Sequence, residues 1–182
     1  MTDIFISSSI KDIEWVKRIQ EHLAPLLRKK NLSLWSYDFL YPGQNWQETI
    51  ERAMDESQVI IILISSNYLN SQLPDVELSR IAEKYKKEKK IIFLIIISSE
   101  ASSSVPTFIR EFQSIGSFSE PLSQLSKQEQ EKALTKLTDF IDHCVSSKSK
   151  KVYNFSGANI GNVADNIFIQ GSVNLANKND YK

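Results

Sequence analysis

Val59-Ile60-Ile61-Ile62-Leu63-Ile64 is followed, after one helix-length segment, by Ile91-Ile92-Phe93-Leu94-Ile95-Ile96-Ile97. Both runs are continuously apolar and rich in β-branched residues. Both are far shorter than the ~20 residues that span a bilayer. Such runs are typical of strands that are buried on both faces of a parallel sheet. The segment between them opens at Pro74-Asp75 and has basic residues near its end, as the helix dipole favours. Two buried strands separated by a helix predict an α/β fold with a parallel sheet.

Weaker patterns on either side continue the alternation of strands and helices. Short apolar or alternating runs predict three further strands, over 4–6, 32–35 and 112–115. Apolar residues at helical spacing, together with turn and cap signals, predict helices over 12–29, 46–54, 74–90 and 127–145. Ligands of such sheets bind at the carboxyl ends of the strands, so the loops after Ile6, Trp35 and Ile64 are the places to search.

The overall composition narrows the function classes. The chain has 182 residues, with 22 Lys and Arg against 22 Asp and Glu, which argues against a chain-wide basic field for nucleic acid or anionic lipid. The basic run 84–90 is expected to be a solvated helix face. The single cysteine, Cys144, is expected to be a core thiol rather than a nucleophile. The cysteine count and the absence of a secretory signal in the first residues predict a cytoplasmic protein without a membrane span.

Several enzyme classes are disfavoured by the loops and the histidines. Ser7-Ser8-Ser9 follows the first strand without a glycine, so it is neither a dinucleotide fingerprint nor a P-loop, and we expect Ser9 or Asp12 to cap a helix. There is no Gly-x-Ser-x-Gly motif, and His22 and His143 have no evident nucleophile partner, which argues against a Ser–His hydrolase. Two histidines and one cysteine also argue against a His/Cys zinc site, so no metal is expected.

Glu77 is the acidic residue that we single out. It lies in the first turn of the helix that follows Val59–Ile64. A carboxylate there can simply favour the helix N-terminus, which is worth about 0.3–1 kcal/mol. Alternatively, it can face the crevice at the carboxyl ends of the strands. The pattern alone leaves both interpretations open.

Taken together, the motifs of residues 1–145 resemble a known family. They are Asp3-Ile4-Phe5-Ile6-Ser7, Leu32-Ser33-Leu34-Trp35, Pro42-Gly43-Gln44-Asn45-Trp46, Val59–Ile64 with Ser65-Ser66, Glu77-Leu78, Phe112-Gln113 and Pro121-Leu122-Ser123. Their order and spacing resemble a Toll/interleukin-1 receptor (TIR) domain of the prokaryotic type. The resemblance implies a flavodoxin-like, five-stranded parallel sheet flanked by helices. The loop 37–45 would be the mobile BB loop, which helps both assembly and ligand access.

The resemblance also implies an activity. Many TIR domains cleave NAD⁺ at the nicotinamide–ribose bond, and their essential glutamate maps to Glu77. NAD⁺ would be the substrate, and no cofactor is implied. Departure of nicotinamide leaves an oxocarbenium-like ribose, which a carboxylate can stabilise. Residues that would line the site are Ser9, Phe39, Leu40, Trp46 and Leu73, although for Trp46 an anchor in the core is the favoured interpretation.

The C-terminal part differs in composition from the rest. We expect a linker over 146–151, a β-prone segment over 152–177 and a short tail over 178–182. The segment is proline-free and rich in Asn, and it has a single charged residue, Asp165, between 152 and 177. Residues 167–175 alternate with strand periodicity. A hairpin docked on the domain, or a disordered end, is one interpretation; cross-β stacking of identical chains is the other.

The segment also resembles the short amyloid signalling motifs of bacterial and fungal cell-death effectors, and its last part resembles the core of the animal RHIM motif. The residues that would build the assembly motif are Phe155, Gly157, Asn159, Ile160, Gly161, Val163, Ile167, Ile169, Gln170, Gly171 and Val173. In such systems a receptor with a similar motif templates polymerisation of the effector. Tethering would then raise the effective concentration of the TIR domains.

The sequence is compatible with three functions. The first is an NAD⁺ hydrolase activated by self-assembly, acting as a prokaryotic immune effector in antiphage defence or regulated cell death. The second is a non-catalytic adaptor that signals by TIR–TIR and amyloid-motif contacts. The third is a cyclase that makes a cyclic ADP-ribose messenger.

Overall fold

A computed structural model describes residues 2–40, 43, 45–71, 74–88, 90–98, 105–146, 159–163 and 166–170. Five parallel strands form the sheet in the order β2-β1-β3-β4-β5. They are β1 (Ile4–Ser7), β2 (Leu34–Ser36), β3 (Val59–Ile64), β4 (Ile91–Ile96) and β5 (Gln113–Ile115). The α/β fold with a parallel sheet, predicted from the two apolar runs, is confirmed, and so is the five-stranded parallel sheet that the family resemblance implies.

Helices connect the strands and cover both faces of the sheet. They are α1 (Ile13–Lys30), α2 (Trp46–Glu56), α3 (Ser66–Leu69), α4 (Pro74–Glu88) and α5 (Lys127–Ser146). In the described part of the chain, short 3₁₀ turns lie at Ile10–Asp12, Tyr37–Phe39, Thr107–Glu111 and Leu122–Gln124. The strand predicted over 32–35 begins later, at Leu34, because Asn31 ends α1 in the left-handed conformation with φ 52°. Residues 32 and 33 are then used to reverse the chain direction before β2 begins.

The central strand β3 shows why its sequence is a continuous apolar run. All six of its residues are buried, and alternate side chains point to opposite faces. Val59, Ile61 and Leu63 pack against α1 and α5. Ile60, Ile62 and Ile64 pack on the other face, against residues of α2 and α4. Each face therefore has its own core.

The thiol of Cys144 belongs to the first of these cores. It is buried in α5 beside the apolar residues that face α1 and the sheet. Burial raises the pKa of Cys144 to about 11. A thiol of this kind is protonated at neutral pH, as expected of a core residue and not of a nucleophile.

One prediction for the basic run 84–90 is wrong. Helix α4 ends at Glu88, and Lys90 is buried rather than solvated. Its ammonium group donates hydrogen bonds to the backbone carbonyls of Met54, Asp55 and Ser57, at 2.9, 2.6 and 2.8 Å. These carbonyls lie at the end of α2, where a helix leaves acceptors without intrahelical donors. Lys90 thus closes the end of α2, while Lys87 is exposed as predicted.

A C-terminal hairpin extends the sheet beyond β5. Strand β6 (Asn159–Val163) pairs in parallel with β5, and β7 (Asn166–Gln170) pairs with β6 in antiparallel orientation. Part of the β-prone segment therefore forms the docked hairpin that was one of the two interpretations. The predicted linker after Ser146, residues 152–158 and residues 171–182 lie outside the described residues. Among the helices described, none combines the length and apolar character that crossing a bilayer requires.

Candidate active site

Glu77 lies in the first turn of α4 with only 5% of its surface exposed. Three hydroxyl groups donate hydrogen bonds to its carboxylate. Tyr37 donates to Oε1, Ser7 donates to Oε2 at 2.8 Å, and Tyr68 donates to Oε2 at 3.2 Å. The side chain points inward, as the interpretation that it faces the crevice at the carboxyl ends of the strands requires, and it still lies in the first turn of α4.

Each hydroxyl comes from the carboxyl end of a different strand. Ser7 is the last residue of β1, Tyr37 follows β2 directly, and Tyr68 lies in α3, just after β3. In the order β2-β1-β3, these three strands are neighbours. The carboxylate is therefore held where parallel sheets bind their ligands.

Local structure explains why these side chains converge. Ser7 follows Phe5 by two positions, so both point to the face on which α2 and α4 pack. The ring of Tyr37 lies edge-on to Phe5 and Trp35, with centroids 6.3 and 5.6 Å apart. Tyr68 is held by the turn that Ser65 caps, since its backbone N–H donates to the Ser65 hydroxyl at 3.0 Å.

Burial sets the protonation of the site. It raises the pKa of Glu77 to about 7, although the hydrogen bond from Ser7 lowers it in part. Burial also raises the pKa of Tyr68 above its ordinary value, so this phenol stays a donor. A carboxyl group with a pKa near neutrality, held by specific donors at a strand edge, is typical of functional sites.

The helix that carries Glu77 is anchored on both sides. Leu78 and Ile81 are buried in the core beneath α4. On the outer side, Arg80 forms an ion pair with Glu51 of α2 at 2.5 Å. Lys84 forms a second ion pair, with Asp55 of the same helix. These contacts fix α4 relative to α2, the helix that follows the BB loop.

A second buried carboxylate lies near the same edge of the sheet. Asp12 accepts hydrogen bonds from the side chains of Ser65 at 2.5 Å and Asn67 at 2.8 Å. It joins the turn after β1 to α3. Since both of its oxygens have donors within the protein, Asp12 fits a structural role.

The residues predicted to line the site differ in how far they are buried. Ser9 is buried, and its hydroxyl accepts from the backbone N–H of Lys11 at 3.3 Å, so Ser9 caps the 3₁₀ turn that leads into α1, whereas Asp12 makes no capping hydrogen bond at the start of α1. Leu40 packs against the core, whereas Phe39 is 43% exposed. Trp46 is 53% exposed, so the prediction that it anchors the core is wrong. Because it is the first residue of α2 and helical side chains lean toward the N-terminus, it points past the helix end. Leu73 lies outside the described residues.

Sequence reasoning missed the three donors of Glu77. The strand predicted over 4–6 stops before Ser7, although the spacing of Ser7 from Phe5 places it on the face of α4. Tyr37 and Tyr68 stand 40 and 9 residues from Glu77 in the chain, and no periodicity relates them to it. The available signal is that each polar residue lies within four positions of the end of a predicted strand, where the fold brings loops together.

The arrangement can do one kind of chemistry well. A carboxylate with positioned donors can stabilise a developing cation or hold a hydroxyl group of a ligand. Within the described part of the chain, no group of three or more His, Cys, Asp and Glu is placed to hold a metal ion.

The family model for the TIR domain matches residues 4–137, which is most of the chain and includes the strands β1 to β5. The chain belongs to the TIR domain family. This match confirms the resemblance inferred from the order of the motifs, and it places Glu77 and its three donors within the TIR domain. The C-terminal hairpin lies beyond the matched range.

Two curated proteins are similar to this TIR domain. A Toll-like receptor 4 of Pinctada imbricata is 30% identical over 109 residues, which cover 57% of this chain and 12% of the receptor. The NAD(+) hydrolase TcpA of a Theionarchaea archaeon (strain DG-70-1) is 31% identical over 91 residues, which cover 50% of this chain and 27% of the hydrolase. The matches therefore span well under a third of either relative.

Among solved structures, the TIR domains of the activated Roq1 resistosome directly recognizing the pathogen effector XopQ are similar to this chain. The sequence identity is 20% and the TM-score is 0.44, with 76% of this chain and 84% of that chain covered.

Proposed function

We propose that this TIR domain is an NAD⁺ hydrolase that cleaves the nicotinamide–ribose bond, with NAD⁺ as its substrate and no further cofactor. The observation that carries the proposal is the inward-pointing carboxylate of Glu77 at the carboxyl ends of β1, β2 and β3. The similarity to the NAD(+) hydrolase TcpA supports it.

The chemistry requires little more than one ionised carboxylate. The bond between C1′ of the ribose and the pyridinium nitrogen breaks, and its electron pair goes to the nitrogen. Nicotinamide therefore leaves as a neutral molecule and needs no general acid. The ribose carries an oxocarbenium-like charge, which Glu77 stabilises, until water adds to C1′ and releases a proton.

Self-assembly is the proposed means of activation. Glu77 is 5% exposed in the single chain, so its carboxylate is almost closed to solvent. Contacts between TIR domains would shift the loop between β2 and α2 and open the site. The segment 152–177, which includes the hairpin, would bring the domains together by pairing with copies of itself or with a receptor that has a similar motif. A cytoplasmic immune or cell-death effector fits this behaviour.

The decisive experiment compares wild type with Glu77→Gln and Glu77→Ala at increasing protein concentration. We expect nicotinamide release from NAD⁺ to rise with assembly in wild type and to fall at least a hundredfold in both variants, as it does when an interaction made in the transition state is lost. Equal rates in all three proteins would rule out this role of Glu77. Chromatography of the product separates ADP-ribose from a cyclic isomer and so tests the cyclase alternative.

A non-catalytic adaptor is the second candidate. The burial of Glu77 and the donors on both of its oxygens favour the adaptor function, because a buried carboxylate whose oxygens are hydrogen-bonded within the protein can have a purely structural role. This function predicts assemblies that form without any loss of NAD⁺. Electron microscopy and an NAD⁺ assay on the same sample distinguish the two candidates.

A further inference from the structure

Both carboxylate oxygens of Glu77 are occupied by protein hydroxyls. Oε1 accepts from Tyr37, and Oε2 accepts from Ser7 and Tyr68. A carboxylate this deeply buried offers a ligand hydroxyl no position that is both open and unused. Since the carboxylate is buried, with one described donor on Oε1 and two on Oε2, a group that covers it must move before a substrate can reach Glu77.

Two of the donors are fixed in the core. Ser7 is fully buried within β1, where it pairs with Ile62 of β3. Tyr68 is also fully buried, and its hydroxyl is 2.9 Å from the hydroxyl oxygen of Ser7. Moving either of them would disrupt the sheet edge or the packing beneath it.

Tyr37 is buried in the same core, with 7% of its surface exposed, but it lies outside the strands of the sheet. It begins the 3₁₀ turn Tyr37–Phe39, where the chain leaves the sheet and runs to the exposed turn at Gly43, with φ +88°. Its described ring contacts are two edge-on contacts, with Phe5 and Trp35. Phe39, at the end of the same turn, is 43% exposed. Of the three donors, Tyr37 is the one that the backbone can withdraw without opening the sheet.

We propose that Oε1 of Glu77 is the atom that receives a ribose hydroxyl of the substrate, and that the hydroxyl of Tyr37 occupies this position until the substrate displaces it. This inference rests on the proposed NAD⁺ hydrolase function. The exchange is chemically balanced, because one O–H donor replaces another on the same oxygen. Glu77 then keeps its number of hydrogen bonds, which a buried carboxylate requires.

Competition of this kind lowers the apparent affinity for substrate. When only a fraction of the protein is in the binding-competent state, the apparent Kd equals the intrinsic Kd divided by that fraction. Removing the hydroxyl of Tyr37 while keeping its ring removes the competitor and leaves the edge-on packing in place. The substitution that does so is Tyr37→Phe. Tyr85→Phe is the matched control, since Tyr85 lies more than two helical turns beyond Glu77 in α4 and packs edge-on to Phe112.

The test measures KM and kcat for NAD⁺ in the full chain, under assembled conditions, for wild type, Y37F and Y85F. We expect Y37F to lower KM roughly tenfold with kcat within about twofold, because a hydrogen bond to a charged group is lost from the free protein only. Y85F should match wild type. An unchanged KM in Y37F, or a lower kcat at the same KM, would overturn the inference, since Tyr37 would then be inert or would position Glu77 during the reaction.

A binding measurement separates this inference from the proposed function. If no variant cleaves NAD⁺, the hydrolase function fails, and calorimetry with NAD⁺ on the same proteins then decides the role of Tyr37. A Kd that is about tenfold lower in Y37F than in wild type and Y85F supports displacement. An equal Kd in all three, or no binding at all, contradicts it.

Discussion

The hydroxyl of Ser7 lies 2.8 Å from Oε2 of Glu77, although the two residues are 70 positions apart in the chain. The last side chain of the first strand thus supports a carboxylate on the fourth helix. This contact ties the chemistry of the site to the register of the sheet, because a shift of β1 by one residue would turn Ser7 to the opposite face.

Ser7→Ala should shift the pH dependence of NAD⁺ cleavage. The hydrogen bond from Ser7 lowers the pKa of Glu77, which burial raises to about 7, so its loss raises that pKa further. Since the mechanism needs ionised Glu77, kcat/KM should rise with pH through a midpoint near 7 in wild type and through a higher midpoint in the variant. Profiles from pH 5.5 to 9 measure this.

The control for Ser7 is Ser33→Ala. Ser33 lies at the opposite end of the sheet, where its hydroxyl donates to Asp3 at 2.8 Å. The S33A profile should coincide with that of wild type. Coincident profiles of S7A and wild type would mean that Ser7 does not act on Glu77.

Glu77→Gln should stabilise the protein at high pH. The pKa of Glu77 is raised from 4.5 to about 7 on folding, so the cost of ionising it in the folded state is absent below about pH 4.5 and complete above about pH 7. The free energy of unfolding of E77Q should exceed that of wild type by up to about 3 kcal/mol above pH 8, with the difference vanishing near pH 4.5. Urea unfolding across this range measures it.

Glu131→Gln provides a control of opposite sign. Glu131 is 52% exposed and pairs with Arg18 and His22, both at 2.6 Å, and the hydrogen bond from Arg18 lowers its pKa. A lowered pKa contributes stability above the unfolded value and loses it as the pH falls. E131Q should therefore be less stable than wild type near neutral pH and equal to it in acid. A pH-independent difference for E77Q would refute the account of Glu77.

Lys90→Met should destabilise the domain strongly. The substitution removes the ammonium donor from the carbonyls of Met54, Asp55 and Ser57 at the end of α2, of which only that of Met54 keeps a described hydrogen bond, from the hydroxyl of Ser57. The expected loss in the free energy of unfolding is about 3 kcal/mol. Lys87→Met is the matched control, because Lys87 is 71% exposed and makes only a surface pair with Glu83; we expect a loss within about 0.5 kcal/mol. Similar losses for both variants would show that the carbonyl contacts do not matter.

Ending the chain after residue 151 should separate folding from activation. The TIR domain match ends at residue 137, and both cores are built from residues before 147, so the shortened protein should keep its circular dichroism spectrum and melt cooperatively. Its NAD⁺ cleavage at submicromolar concentration should be at least tenfold lower, since tethering no longer raises the local concentration. Full activity of the dilute, shortened monomer would contradict activation through the C-terminal segment.

Much of the fold could be predicted from the sequence, because β3 and β4 are buried on both faces and their sequences have no polar positions. The place of Glu77 was predicted for a similar reason, since it follows a strand whose end is unambiguous. The donors Tyr37 and Tyr68 could not be predicted, because their contacts depend on three-dimensional convergence of loops. The predictions for Trp46 and Lys90 were wrong for the same reason. Each residue lies at or just beyond a helix end, where periodicity no longer determines which way a side chain points.

The burial of Cys144 has a practical consequence. Its thiol is held between α5 and the sheet with a pKa of about 11, so we expect maleimide reagents at neutral pH to leave it unmodified. A cysteine introduced at the exposed position 39 would then accept a fluorophore selectively in the otherwise natural protein. Such a dye would report movement of the turn next to Tyr37 in real time, as neighbouring copies dock or nucleotide is added.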